Sequence, residues 1–343
     1  MAFLFQMNRR QLLRGALTAA GGAVMAPAII GRAKADTYSI KISSPLPNDP
    51  KYGNGRVYFD NLVKQLETNG LKDTVEVSFF PDGQLGTEMD VINSLKLGVV
   101  DAMVAAPSTP ANLIPSLGVY DLGYLFQSYE QQTQVLDAGG AKFAEDQLAQ
   151  IGVTVLGWQY NFGSRSVDAK FPVKGPQDLA GKHIRTLPSK IVTECLTLMG
   201  AAATPMAFGE IYTGLQAGVL DGLEQDPPTI LSGKFYESAK YYSLTKHIFD
   251  PLCTFISSMT LSRFDDETRE KFLDAGKKAA LDTRKHGLAV EGDALKELQN
   301  QGVELVETDI PAFRERVKPQ IERFLKENPT AKPVVDMAIS TYK

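Results

Sequence analysis

The chain has 343 residues, 43% of them hydrophobic and 22% charged, with 36 Lys and Arg set against 40 Asp and Glu for a formal net charge of −4. That length suits two domains, and the acidic balance argues against partners held by a broad basic face, namely nucleic acid and anionic membrane surfaces. Two cysteines, Cys195 and Cys253, are too few for a disulfide framework; a single bridge is permitted, but we read them as two small buried hydrophobes.

Residues 1–35 carry the three parts of an export signal. Asn8-Arg9-Arg10-Gln11-Leu12-Leu13-Arg14 is a twin-arginine stretch, Gly15 to Ile30 is short, apolar and rich in Ala and Gly, and Ala33-Lys34-Ala35 is a small-x-small cleavage site. The expectation is export to the periplasm in an already folded state. Cleavage removes five basic side chains and no acid, taking the net charge from −4 to −9. An anionic ligand must then be attracted by local groups.

Tyr38–Ser43 alternates as a strand. Tyr58, Phe59, Leu62, Val63 and Leu66 recur at helical spacing, and Val75–Phe80 reads as the next strand. Gly83-Gln84-Leu85-Gly86 turns into a helix with Ile92 and Leu95 inward, which stops at Gly98 before a strand through Val104. Strands alternating with helices predict a largely parallel α/β sheet. One internal echo stands out: Leu95-Lys96-Leu97-Gly98-Val99-Val100-Asp101-Ala102 and Leu215-Gln216-Ala217-Gly218-Val219-Leu220-Asp221-Gly222. Each is a helix closed by glycine, then two apolar residues, Asp and a new strand, which predicts two lobes on one plan. The chain crosses between them near Asn161–Ser164 and Asp250–Cys253, and Phe255–Ser262 is the returning strand. Asp265 and Asp266 cap a long helix with Phe272, Leu273, Ala279 and Ala280 on its buried stripe. A last amphipathic helix runs from Ile310 to about Glu327.

The chemistry-bearing stretch runs from Gly163 to Pro228. Arg185 lies in a short strand, His183 to Leu187, that ends at Pro188, and Arg165 follows an apolar strand and a glycine break. Two guanidiniums at neighbouring strand ends suit a carboxylate, which each can grip through two parallel hydrogen bonds. The arrangement predicts a binding site for a small organic acid. Arg165 is either such a contact or neutralised by Asp168; Arg185 has Glu210 as its rival partner. Gln225 sits where a strand gives way to a loop, a usual place for a site. Phe208 is pocket wall or core, and Tyr212, one turn on, lines the pocket or packs behind it. Glu88 is a ligand contact or a plain helix N-terminal acid. Trp158, Gln159 and Asn161 end the strand entering the first crossing, Trp158 as platform or core and the two amides as donors. Asp226 pairs with Lys190 or accepts from a ligand hydroxyl or amine. His183, His247 and His286 are scattered and there is no Gly-x-Ser-x-Gly elbow, phosphate loop or complete dinucleotide turn, so neither a cofactor nor a metal is expected.

Several segments together resemble the extracytoplasmic solute receptors of tripartite ATP-independent periplasmic (TRAP) transporters, of the C4-dicarboxylate-receptor kind. They are Phe80-Pro81-Asp82-Gly83-Gln84-Leu85-Gly86, Leu122-Gly123-Tyr124-Leu125-Phe126, Pro172 through Arg185, Met206-Ala207-Phe208-Gly209-Glu210-Ile211-Tyr212 and Val219 through Glu224. The resemblance implies a two-lobe periplasmic binding fold, type II-like, with hinge strands, a ligand between the lobes and a long helix spanning both. It divides the mature chain into 36–162 plus 251–290 and 163–250 plus 291–343. It implies further that Arg185 forms the salt bridge to the ligand carboxylate, that Arg165 is a second contact and that Phe208 lines the pocket. The implied function is a monomeric receptor that hands an organic acid to a TRAP-type membrane permease. A sensory receptor, or an exported enzyme using Glu210 or Asp226 as base, is the alternative. Two departures bear on ligand identity: Gln225-Asp226 stands where the family has Asn-Pro, and Gly123-Tyr124 where it has Pro-Phe.

Overall fold

The structure, a computed structural model, describes residues 37–159 and 163–342; the export segment and Asn161 lie outside them. The chain begins with β1 (Tyr38–Ser43), α1 (Asn54–Thr68), β2 (Val75–Phe80), α2 (Glu88–Lys96), β3 (Ala102–Ala105), α3 (Tyr129–Val135), α4 (Ala141–Ala149) and β4 (Val153–Trp158). It continues through β5 (Gly163–Ala169), β6 (His183–Thr186), α5 (Lys190–Met199), β7 (Ala202–Pro205), α6 (Ile211–Gln216), β8 (Gly222–Gln225), α7 (Pro227–Ser232) and β9 (Tyr241–Asp250). It ends with β10 (Cys253–Ser257), α8 (Ser258–Leu261), α9 (Asp266–Asn300), β11 (Glu304–Val306), α10 (Ile310–Val317), α11 (Pro319–Glu327) and α12 (Lys332–Ser340).

These strands make two sheets, β2-β1-β3-β10-β4 and β11-β9-β5-β8-β6-β7. In the first, β1 runs parallel to β2 and β3, and β10 is antiparallel to β3. In the second, β6 runs parallel to β7 and β8, and β5 is antiparallel to β8. The run β2-β1-β3-β10 thus has its counterpart in β7-β6-β8-β5, so one plan is used twice. The sequence echo marks the equivalent corners. Gly98 and Gly218 both take left-handed φ, 67° and 73°. Their amides bond back to Leu95 O and Leu215 O, and the next amides to Ser94 O and Gly214 O. Asp101 then accepts from Lys41 N (2.9 Å), and Asp221 from His183 N (2.8 Å), each tying the start of its strand to the parallel neighbour.

The chain passes directly between sheets from β4 to β5 and from β9 to β10, and a third time through α9 from β10 to β11. Gly163 pairs with Asp250 in the β5–β9 ladder, which sets the two crossings side by side. Phe255 does lie in the returning strand, but that strand begins at Cys253 and stops at Ser257, where α8 starts. The long helix α9 is capped by Asp265, which accepts from Thr268 N at 2.9 Å. It packs on α1 and β4 of the first lobe and on α7 and β11 of the second, burying Phe272, Ala275, Ala279, Ala280 and Thr283. The predicted last helix is divided into α10 and α11 at Pro319, which has no amide to donate to the ladder. The terminal α12 packs against α3 and buries Val334, Val335 and Ala338 with Val135 and Leu136. Cys195 and Cys253 are buried and unbridged. Among the described residues no helix is long and apolar enough to cross a membrane.

The two glycine corners differ in one respect. A Cβ on Gly98 would stand 3.1 Å from Met259 Cβ, whereas one on Gly218 would meet nothing within 4 Å. Gly218→Ala should lose about 1–2 kcal/mol, the cost of left-handed backbone, and Gly98→Ala clearly more. Urea denaturation of the two variants checks this, and equal losses would contradict it.

Candidate functional site

The carboxyl ends of β1, β3, β6 and β8 converge where the sheets face each other, the place open α/β sheets reserve for ligands. A cavity of about 270 Å³ lies there, near the lower end of small-molecule pockets. Arg185, Arg165, Gln225, Phe208 and Glu88 all line it, so five side chains far apart in sequence come together.

Arg185 projects from β6 and is 1% exposed. Its Nε donates to Met206 O at 2.9 Å, while its Nη1 has no acceptor among the described residues. Burial pulls its pKa down to about 10, a trend that Glu224 offsets and Arg165 reinforces. The guanidinium stays charged at neutral pH but lacks a counter-charge in direct contact. Its predicted rival partner, Glu210, makes no ion pair with it.

Arg165, on β5, is in the opposite situation. Its Nε and Nη2 donate to the two carboxylate oxygens of Glu224 at 2.6 and 2.8 Å. Nη2 also reaches Glu224 O at 3.2 Å, and Nη1 lies 3.4 Å from Asp250 Oδ2. Burial raises the Glu224 pKa, but the Arg165 charge together with hydrogen bonding to His247 and Arg165 outweighs it and brings it to about 2. Asp168, the neighbour expected to neutralise Arg165, is three positions along the strand and so on the other face; Glu224 pairs with Val167 on the same face as Arg165. The signal for Glu224 was present as a lone acid in the short apolar strand that ends in Gln225.

Gln225 closes β8. Its Oε1 accepts from Asp226 N at 3.2 Å, which turns the amide nitrogen away from the backbone. Phe208 is 9% exposed and packs edge-on against Phe235 with ring centroids 5.6 Å apart, so it is core on one side and wall on the other. Glu88 is held at the start of α2, where Thr87 and Asp90 form a capping box.

Four other candidates do not line the cavity. Tyr212 is 40% exposed and donates to Glu237 at 2.5 Å. Trp158 donates from Nε1 to Glu145 at 2.9 Å, on the α4 side of β4. Gln159 is buried at the crossing, bonding Thr254 Oγ1 and Leu252 O at 2.8 Å each. Asp226 is the cap of α7 and accepts from Thr229 N at 3.2 Å, and Lys190 pairs with Glu327 instead. In each case a local partner engages at least one polar atom of the side chain away from the cleft. The cavity adds residues that sequence reasoning passed over: Ser108 after β3, Ser189 capping α5 and Asp250 at the end of β9. Ser189 also donates to Asp121 at 2.9 Å.

Two lobes on one plan, joined by adjacent crossings, with a largely apolar cavity that holds two arginines where their strand ends meet, define a two-lobe solute receptor. The family described as bacterial extracellular solute-binding protein, family 7, matches residues 43–328, and the chain belongs to it. A relative named solute-binding protein, from Chromohalobacter salexigens, is 29% identical over 96% of this chain and 97% of its own length. A TRAP periplasmic solute-binding protein from Sulfitobacter sp. NAS-14.1, solved with bound β-D-galacturonate, superposes with a TM-score of 0.81. It is 29% identical, and the match spans 87% of this chain and 98% of that one. One from Polaromonas sp. JS666, bound to D-erythronate, gives 0.83 at 29% identity over 90% and 100%. Such receptors work with TRAP membrane permeases.

Asp226 gives a pH signature. Burial pushes its pKa up to about 7, against which the Thr229 contacts work only in part. The folded chain then keeps a proton that the unfolded chain gives up near 3.9, so this group removes stability as pH rises from about 4 to about 7, by up to about 1.4 kcal/mol per unit. Asp226→Asn keeps an equally good helix cap and cannot titrate. Its stability relative to wild type should rise across that window and level off above it. A constant difference from pH 5 to 8 in denaturation curves would contradict this.

Proposed function

We propose that this receptor captures a small polyhydroxylated monocarboxylate in the periplasm and presents it to a TRAP-type permease, with Arg185 taking the carboxylate. The observation that carries the reading is the unbonded Nη1 of a buried guanidinium in the cavity wall. A carboxylate arriving there supplies the missing acceptor and counter-charge, a contact of the charge-assisted kind that strengthens as water is excluded. Arg165, engaged by Glu224, serves mainly to hold that acid in place. Phe208 gives an apolar wall, and Gln225 and Glu88 supply a donor and an acceptor for ligand hydroxyls.

The ligand class follows from what faces Arg185. A second carboxylate would meet Glu88 rather than a free cation, whereas a hydroxyl group suits that acceptor. Relatives solved with galacturonate and erythronate carry one carboxylate and several hydroxyls, which supports the same reading. Closure of the lobes on ligand requires tighter binding in the closed form, and the paired crossings at Gly163 and Asp250 are suited to that hinge. The twin-arginine segment Asn8–Arg14 favours export in the folded state, and a monomer suits a diffusing carrier.

Arg185→Ala tests the anchor. Wild type at 100 times its dissociation constant should gain about 2.7 kcal/mol from ligand. The variant should lose this gain, while its ligand-free melting temperature stays within a few degrees because an uncompensated buried charge has been removed. A variant that keeps the full ligand-induced shift, measured across a panel of sugar acids, overturns the assignment.

A further inference from the structure

We propose that Asp250 is a specificity-determining residue of this cavity, its carboxyl group hydrogen-bonding one particular hydroxyl of the ligand. The proposal rests on the reading above and adds a residue to it. Asp250 lines the cavity and is fully buried. Its Oδ1 has no partner among the described residues, and Oδ2 has only a long contact, 3.4 Å, to Arg165 Nη1.

Arg165 does not account for Asp250. The short bonds of that guanidinium, at 2.6 and 2.8 Å, go to Glu224, which already balances its charge. A buried carboxyl oxygen left without a partner is unfavourable, and where such an atom borders a ligand cavity the ligand is the natural partner. Burial, with the Asp121 charge behind it, pushes the Asp250 pKa well upward. A carboxyl group holding its proton offers one donor and one acceptor, which a hydroxyl, also donor and acceptor, matches in both directions.

The backbone fixes the position. Asp250 is the last residue of β9, hydrogen-bonded opposite Gly163 on β5, with Pro251 following. It stands on a strand rather than a loop and beside both crossings, so its reach into the cavity is set before the lobes close. Sites built on strands hold such geometry more tightly than loops. A site made to bond a hydroxyl rejects the analogue lacking it far more strongly than an apolar wall rejects a change of size.

The test uses the mature full chain and titration calorimetry. The ligand is whichever of D-galacturonate, D-glucuronate, D-galactonate and D-erythronate gives the largest thermal shift, together with its monodeoxy analogues. Wild type should discriminate against one deoxy position by at least about 100-fold. Asp250→Leu, of the same branching but without polar atoms, should reduce that ratio to below about tenfold while other positions keep theirs, and Asp250→Asn should restore most of it. Should Asp250→Leu fail to melt cooperatively, Asp250→Ala reads the same ratio. A wild-type ratio retained at every position in the Leu or Ala variant overturns the role of Asp250 and leaves the receptor reading standing. Wild type that binds none of these acids overturns both.

Discussion

The ion pair between Arg165 and Glu224 decides what the cavity can do. Two buried guanidiniums close together would repel each other and call for two counter-charges. Glu224 supplies one, in a two-point contact at 2.6 and 2.8 Å, and supplies it to Arg165. Arg185 is left charged, 1% exposed and bonded only through Nε to Met206 O among the described residues. Removing one member of such a buried pair would leave its partner uncompensated, which costs several kcal/mol. The arrangement is therefore stiff, and the incoming anion completes the charge balance without having to displace an acid.

This local chemistry depends on a fold that uses one plan twice. The corner at Gly98 and Asp101 delivers β3 to the cleft, and the equivalent corner at Gly218 and Asp221 delivers β8. Glu88, Ser108 and Thr109 come from the first copy; Arg185, Phe208 and Gln225 from the second. Asp250 belongs to the crossing between them. The ligand site is thus split between lobes that are joined by the paired crossings and by α9, which packs along both. A ligand that touches both halves would stabilise a closed form over an open one.

Much of this was legible in the sequence because it rests on local rules. The helix-glycine-Asp-strand echo is visible as text, and the alternation of strands and helices gave the fold class. Segments resembling the TRAP receptors placed Arg185, Arg165, Phe208 and Gln225, and all four line one cavity. What sequence reasoning missed depends on which face of a strand a side chain occupies and which neighbour reaches it first. Asp168 is three residues from Arg165 yet on the opposite face, and Glu224 is remote in sequence yet on the neighbouring strand and the same face, opposite Val167. Tyr212, Trp158 and Asp226 carry suitable groups, but Glu237, Glu145 and the α7 amides engage them first. The single helix expected from Ile310 to Glu327 was read from its apolar spacing, which continues undisturbed through Pro319 although the backbone ladder does not.

The most direct test of the central claim is a crystal structure of the mature protein with D-galacturonate bound. The account predicts the ligand carboxylate within about 2.7–2.9 Å of the Arg185 guanidinium nitrogens, with the Arg165–Glu224 pair unchanged. A carboxylate seated on Arg165 with Glu224 displaced, or turned away from Arg185 altogether, would contradict it.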